Sequence, residues 1–305
     1  MTENVIRELG RTNAGGYYDL QGVRLATMNR LRDLIRKRLL KIPTNEKEAK
    51  KQEKKYEKEW TDAKMLSKLE RVLESKKHDF NASEVKYLRR MISLLTESEK
   101  LERAYLRSLN EYVEQEPVWT RWLGAEIIVG GKPAKAVRGV STVLTSNLLK
   151  EYGYCETYDT VSKLWAHSGL SVTEEGKAKG RVKGERLSYD PKKKVLAWKI
   201  ADCFIKARGE PYRTIYDHEK ERQLAKEYEA GYLKANYNGY KEEDTHLSLG
   251  HAHARAMRKT VKIFLQHYWE VTRKIKGLET REIYVVEKLG HKNKIPVRGF
   301  QAIKA

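Results

Sequence analysis

The residues of this chain best suited to chemistry are those that would meet a phosphate. Val137-Arg138-Gly139-Val140-Ser141 runs directly into the apolar helical pattern Val143-Leu144 and Leu148-Leu149. A glycine here lets backbone approach a phosphate closely, and the free amides at the start of the next helix add donors and a positive dipole beside Arg138. Such a turn grips backbone rather than bases, so its binding is tolerant of sequence and sensitive to salt. The same residues also suit an ordinary turn between two helices. A second cluster, Lys177, Lys179, Arg181, Lys183, Arg186, Lys192, Lys193, Lys194 and Lys199, faces only Glu185 and Asp190 within 176–199. It has no apolar face beside its cations until Val195, which favours nucleic acid over a membrane surface. A third comprises His251, His253, Arg255, Arg258 and Lys259, with the histidines expected just before a basic helix, on phosphate or in packing. The two histidines, together with His246 and Asp244, also have a spacing that suits Zn²⁺ or Mg²⁺.

Other chemistries find less support. A nucleophilic serine needs an activating neighbour, and neither Ser171 nor Ser188 has an evident one. Tyr152, Tyr154, Tyr158, Tyr228, Tyr232, Tyr237 and Tyr240 lack the Arg-His-x-x-Arg surroundings of a tyrosine recombinase, which leaves aromatic packing or base stacking. The carboxylates Glu53, Glu57, Glu59, Glu97, Glu99 and Glu102 alternate with lysines and arginines as solvated helix faces do. Cys155 and Cys203 are too few for a disulfide framework and point to a reducing compartment.

The charge agrees with a polyanionic partner. Of 305 residues, 62 are Lys or Arg and 42 are Asp or Glu, for a net charge of +20. Residues 1–120 carry +6 of it and residues 121–305 carry +14. With 40% hydrophobic residues the chain can bury a substantial core, which excludes a disordered tail or a disulfide miniprotein. No run has the length of a membrane span, and Met1 to Gly16 lacks the apolar stretch of a signal peptide, so a cytoplasmic, nucleoid-associated protein is expected.

The elements that must position these groups read as mainly α-helical. After a leader containing Gly and Asn, Leu20, Val23, Met28, Leu31, Ile35 and Leu39 recur at helical spacing up to Pro43. Asn45 with Glu48 opens a charged helix over 46–77, and Asn81 with Glu84 opens a third that runs to Pro117. These form a long hairpin or coiled-coil arm, serving homodimerisation or embracing DNA, or else a bundle closing over the rest. Trp119 to Leu123 reads as a short helix, Ile127 to Pro133 as an extended piece and turn, and 142–152 and 160–168 as helices. Asp190 and Pro191 open a helix ended by Gly209, another spans about 211–230, and the strongest pattern runs from Ala254 to Ile275. Ile283-Tyr284-Val285-Val286 suggests a strand in the tail. The expected domains are a helical arm or bundle at 1–116, a DNA-binding domain with a helix-hairpin-helix at 117–277, and a tail at 278–305.

Three segments together resemble a known module: Pro117 to Leu123, the turn at 137–141, and Asp159 to Leu170 with its Leu164-Trp165-Ala166-His167-Ser168-Gly169-Leu170 string. They are similar to the C-terminal domain of insertion-sequence transposases that join an N-terminal RuvC-like nuclease to a C-terminal helix-hairpin-helix serine domain. The likeness covers about residues 117–277 and continues through Gly250-His251-Ala252-His253 before the last helix. Residues 1–116 have no strand bearing the first acidic metal ligand of that nuclease, and no Ser-Gly pair follows Gly169-Leu170. The resemblance therefore implies a DNA-binding protein related to transposases and connected with transposition or recombination, rather than an enzyme. The alternatives are an active transposase or recombinase with other catalytic groups, and an RNA-binding protein. Binding of this kind needs no cofactor; Mg²⁺ would enter only with nuclease activity. Double-stranded or branched DNA is the expected partner.

Overall fold

The computed structural model describes residues 3–39, 60–75, 78–172, 183–282 and 294–301, with Lys50, Lys54, Lys58 and Ala178 besides. Its elements are α1 (Glu3–Leu34), continued by a π-helical turn (Ile35–Leu39), α2 (Asp62–Ser75), α3 (Ala82–Glu114), a second π-helical turn (Trp119–Leu123), strands β1 (Glu126–Val129) and β2 (Lys132–Lys135), then α4 (Thr142–Tyr152), α5 (Val161–His167), α6 (Pro191–Ala207), α7 (Tyr212–Ala225), α8 (Tyr232–Asn236) and α9 (Leu249–Ile275). The protein is thus mainly helical, as expected. The proposed strand at 283–286, the Asn45–Glu48 cap, and Lys177, Lys179 and Arg181 lie outside the described residues.

Two compact units divide within α1 and α3: Gly15–Ser108, and Met1–Ala14 together with Leu109–Ala305. In the first, Met28, Leu31 and Ile35 of α1 and its π-helical turn pack with Trp60, with Met65, Leu69 and Leu73 of α2, and with Leu88, Ile92 and Leu95 of α3. The apolar positions recur every three or four residues, which is what lets three helices share one core. The capping box forms as the sequence indicates: Glu84 N–H donates to Asn81 Oδ1 at 2.9 Å and Asn81 N–H to Glu84 Oε2 at 3.0 Å.

The second unit is built around α9, which packs against α5, α6 and α7. Phe264 is its hub, meeting Phe204 at 5.2 Å, Tyr212 at 5.4 Å and Trp122 at 5.9 Å between ring centroids. Buried polar groups are satisfied: Tyr268 Oη donates to the Gly153 carbonyl and Trp269 Nε1 to that of Tyr158, each at 2.7 Å. Asp190 caps α6 through the Lys192 N–H at 2.8 Å, with Pro191 in the first turn. No helix among the described residues is long and apolar enough to cross a membrane.

Two elements differ from expectation. Helix α1 begins at Glu3 and continues through Gly15 and Gly16, the second of which serves packing: a Cβ on Gly16 would fall on the Tyr105 ring, whereas one on Gly15 would meet nothing within 4 Å. Helix α9 begins at Leu249 under a Ser248 cap, so His251 and His253 sit inside its first turns rather than ahead of it.

Candidate nucleic-acid interface

The bend at 137–141 is entered from a β-hairpin and left by α4, so the described elements show strand, turn and helix there, and no helix-hairpin-helix. Gly130 and Gly131, both at positive φ, make the tight reversal that turns this stretch into paired strands. Val137 and Val140 are buried and anchor the bend, while Arg138 and Ser141 are exposed. Gly139 has φ +104°, and a Cβ there would lie 3.2 Å from both the Cys203 carbonyl oxygen and Phe204 Cδ1 of α6. Its need for glycine is thus met by packing against a helix, not by an open cradle. The Ser141 hydroxyl already accepts the Leu144 N–H at 3.3 Å. The adjoining turn after α6 approaches so closely that a Cβ on Gly209 would collide with the Arg138 carbonyl.

The basic cluster at 176–199 separates into unlike parts. Lys183, Arg186 and Lys192 are exposed. Lys193 is buried and paired with Asp190 at 3.1 Å and Glu151 at 3.3 Å, and Lys194 lies 4.4 Å from the Tyr189 ring centroid. These two lysines hold the start of α6 and do not face a partner. Their place in the sequence hid this, since a run of three lysines gives no sign of which one points inward.

Helix α9 carries the most unusual electrostatics. His251, Arg255, Arg258 and Lys262 fall at i, i+4, i+7 and i+11, on one face. Around the first of them the connection from α7 supplies tyrosines: His251 Nδ1 and Tyr240 Oη lie 3.0 Å apart, and Tyr237 meets the imidazole edge-on at 4.7 Å. Arg255 donates to Gln223 Oε1 at 3.0 Å, Tyr228 Oη at 2.8 Å and Tyr237 Oη at 2.7 Å. Lys262 lies 4.3 Å from the Trp165 centroid, and Trp165 Nε1 donates to the Lys262 carbonyl at 2.9 Å. Arg258, half-buried between them, donates no hydrogen bond to any described residue. No carboxylate among the described residues lies within ion-pair distance of Arg255, Arg258 or Lys262.

The cations therefore act on one another. Burial, then Arg255, lowers the pKa of Arg258; burial, then Arg258, lowers that of Lys262; burial, then Arg255 and Arg258, lowers that of His251. Half-burying like charges without counter-charge raises the free energy of the unliganded protein, and an anion laid along the row would relieve it. From Arg255 to Lys262 the row spans about 10 Å at 1.5 Å per residue.

Neighbouring cations on the same helix are occupied. Lys259 donates to the buried Glu219 at 2.7 Å, and Glu219 also accepts from Arg222 and Gln223, each at 2.6 Å. His253 shares a 2.7 Å hydrogen bond with Tyr216. His246 pairs with the Thr245 hydroxyl and Asp244 accepts the Lys241 N–H at 2.7 Å. Among the described residues no three His, Cys, Asp or Glu side chains converge as a metal ion requires.

Of the residues singled out in the sequence, Arg255, Arg258 and His251 come together on this row, Arg255 and His251 with uncharged hydrogen-bond partners, whereas Lys259 and Lys193 are neutralised by carboxylates and His253 and Lys194 rest on tyrosines. Lys262 was not among them. A readable sign existed: no Asp or Glu occurs from Leu249 to Trp269. No protein-family model, curated protein or solved structure matches the chain.

Proposed function

We propose that this protein binds the phosphate backbone of nucleic acid, with duplex or branched DNA as its partner, through the Arg255–Arg258–Lys262 row of α9. The observation that carries this reading is a row of half-buried cations with no carboxylate partner among the described residues. Lys259, on the same helix, is by contrast paired with the buried Glu219. Exposed Arg138, Lys183, Arg186 and Lys192 add long-range attraction within the same strongly basic half of the chain. The sequence resemblance to the C-terminal domain of transposases gives the binding a context in transposition or recombination. The residues on this row hold and orient a strand; no chemical step is assigned to them.

Fluorescence anisotropy with labelled duplex DNA, a four-way junction and structured RNA at two salt concentrations tests the reading. Arg258→Gln should weaken binding and flatten the salt dependence by about one phosphate contact, a change of about 0.9 in the logarithmic slope. An unchanged affinity and slope in a folded Arg258→Gln protein would reject the interface.

A further inference from the structure

The β1–β2 ribbon is a projection with a firm base and a bare tip. At its base the Ala136 N–H donates to the Ala125 carbonyl at 2.8 Å, extending the ladder by a rung. On one face, Gly299 lies so close to Ile127 and Ala136 that a Cβ there would sit 2.6 Å from the Ala136 methyl. Lys135 Nζ rests 5.1 Å from the Trp119 ring centroid. Beyond these anchors Ile128 is 71% exposed and Val129 41% exposed. Ile128 stands directly across from Pro133, so both belong to the face turned away from Gly299. Lys132 sits at the turn, opposite Val129. Neither Lys132 nor Lys135 has an ion-pair partner among the described residues, and the only acidic side chain of the ribbon, Glu126, faces Lys135 across it.

We propose that this ribbon enters the major groove of duplex DNA tip first, setting Ile128 and Pro133 against base edges and Lys132 against the groove wall. Three features favour that occupant. A two-stranded ribbon suits a groove about 12 Å wide and is too broad for one of about 6 Å. Strands of four residues reach about 13 Å, enough for a depth of about 8.5 Å. Gly130 and Gly131 leave the leading edge without side chains. An apolar pair set among lysines is repelled by a second copy of this basic chain and attracted by a polyanion, while thymine methyl groups give the isoleucine an apolar surface. The major groove of an RNA duplex is deep and too narrow for side chains to read. The ribbon therefore selects DNA over RNA, which the cation row cannot do through backbone contacts alone.

This inference rests on the nucleic-acid reading above, but its contacts are separable from that site. Trp122, just before the ribbon, stacks on Phe264, which leaves α9 about 120° around the helix from Arg258 and about 160° from Lys262. The test is a competition between a labelled DNA duplex and an RNA duplex of the same sequence, using the full chain, Ile128→Asp with Lys132→Ala, and Arg258→Gln. Because Ile128 and Lys132 are exposed, the double variant keeps its fold. The wild type should prefer DNA, and the double variant should lose about tenfold in DNA affinity with RNA affinity unchanged, erasing the preference. An equal or greater wild-type affinity for RNA, or a preference that survives in the double variant, overturns the ribbon proposal. Arg258→Gln should weaken both duplexes alike; if it weakens neither, the fault lies in the cation-row reading instead.

Discussion

Replacing Arg258 by methionine should change stability and binding in opposite directions. The guanidinium is half-buried, repelled by Arg255, and bonded to no described residue, so no described group offsets the cost of burying its charge. Methionine keeps the length and apolar contacts of the stem and removes the charge. Replacing buried ionic groups by apolar ones stabilises by about 1–4 kcal/mol in favourable cases, and solvent reaching this side chain reduces the expectation to about 1 kcal/mol. For a unit of this size that raises Tm by about 2–4 °C, measurable by calorimetry or circular dichroism. Binding should fall by about tenfold or more, the worth of one charge-assisted hydrogen bond. Three phosphate contacts give a salt slope of about −2.7 and two give about −1.8, so raising salt fourfold costs the wild type about 40-fold and the variant about 12-fold. A lower Tm would mean that Arg258 has a structural partner, and an unchanged slope would mean that it touches no phosphate; either result refutes the reasoning.

Further outcomes follow from the same geometry. The pKa of His251 is lowered in the free protein by burial and by Arg255 and Arg258, so a bound phosphate, favouring the imidazolium, should raise it. Affinity should then increase as pH falls below about 6.5, and His251→Gln should abolish that trend in anisotropy titrations. Glu219 is pulled upward by burial but held down to about 2 by Arg222, Lys259 and Gln223. Its contribution to stability, about 3 kcal/mol, should be complete above the ordinary glutamate pKa and disappear as pH drops from there through about 2, a loss that thermal melts of Glu219→Gln should no longer show. Gly139→Ala should lower stability by about 1–3 kcal/mol through its positive φ and the nearby Cys203 carbonyl, more than Gly130→Ala, whose Cβ would meet nothing within 4 Å. Comparing the two melting temperatures checks that ranking.

What could be read in the sequence was mainly local. Asn81 with Glu84 and Asp190 with Pro191 each place an oxygen where a helix has free amides, and both cap as their chemistry requires; Ser248 caps α9 in the same way, but Gly250 behind it masks the start of that helix in the sequence. The double glycine near the start of the chain reads as a break, yet Gly16 serves to admit a tyrosine ring from α3, a contact between residues far apart in sequence. The same holds for Gly139: its type was informative, but whether it faces solvent or Cys203 depends on α6, which begins some fifty residues later. Charge type was legible and charge partnership was not. Lys193, Lys259 and Arg258 look alike in the sequence, and only the folded neighbours Asp190, Glu151 and Glu219 tell the neutralised cations from the unneutralised one.

The first fourteen residues belong to the compact unit that otherwise starts at Leu109. At Gly10 the backbone of α1 nearly touches that of α4, where a Cβ would lie 3.0 Å from the Ser146 carbonyl oxygen and the Lys150 nitrogen, and Ser146 donates its hydroxyl to the Gly10 carbonyl at 3.4 Å. A fragment cut at residue 117 for biochemical work would strip this cover from Ser146 and bare part of the interior. Any excised version of the basic half should therefore carry the opening segment as a co-expressed peptide or a grafted leader, and a bulky fusion placed hard against Gly10 invites poor yield.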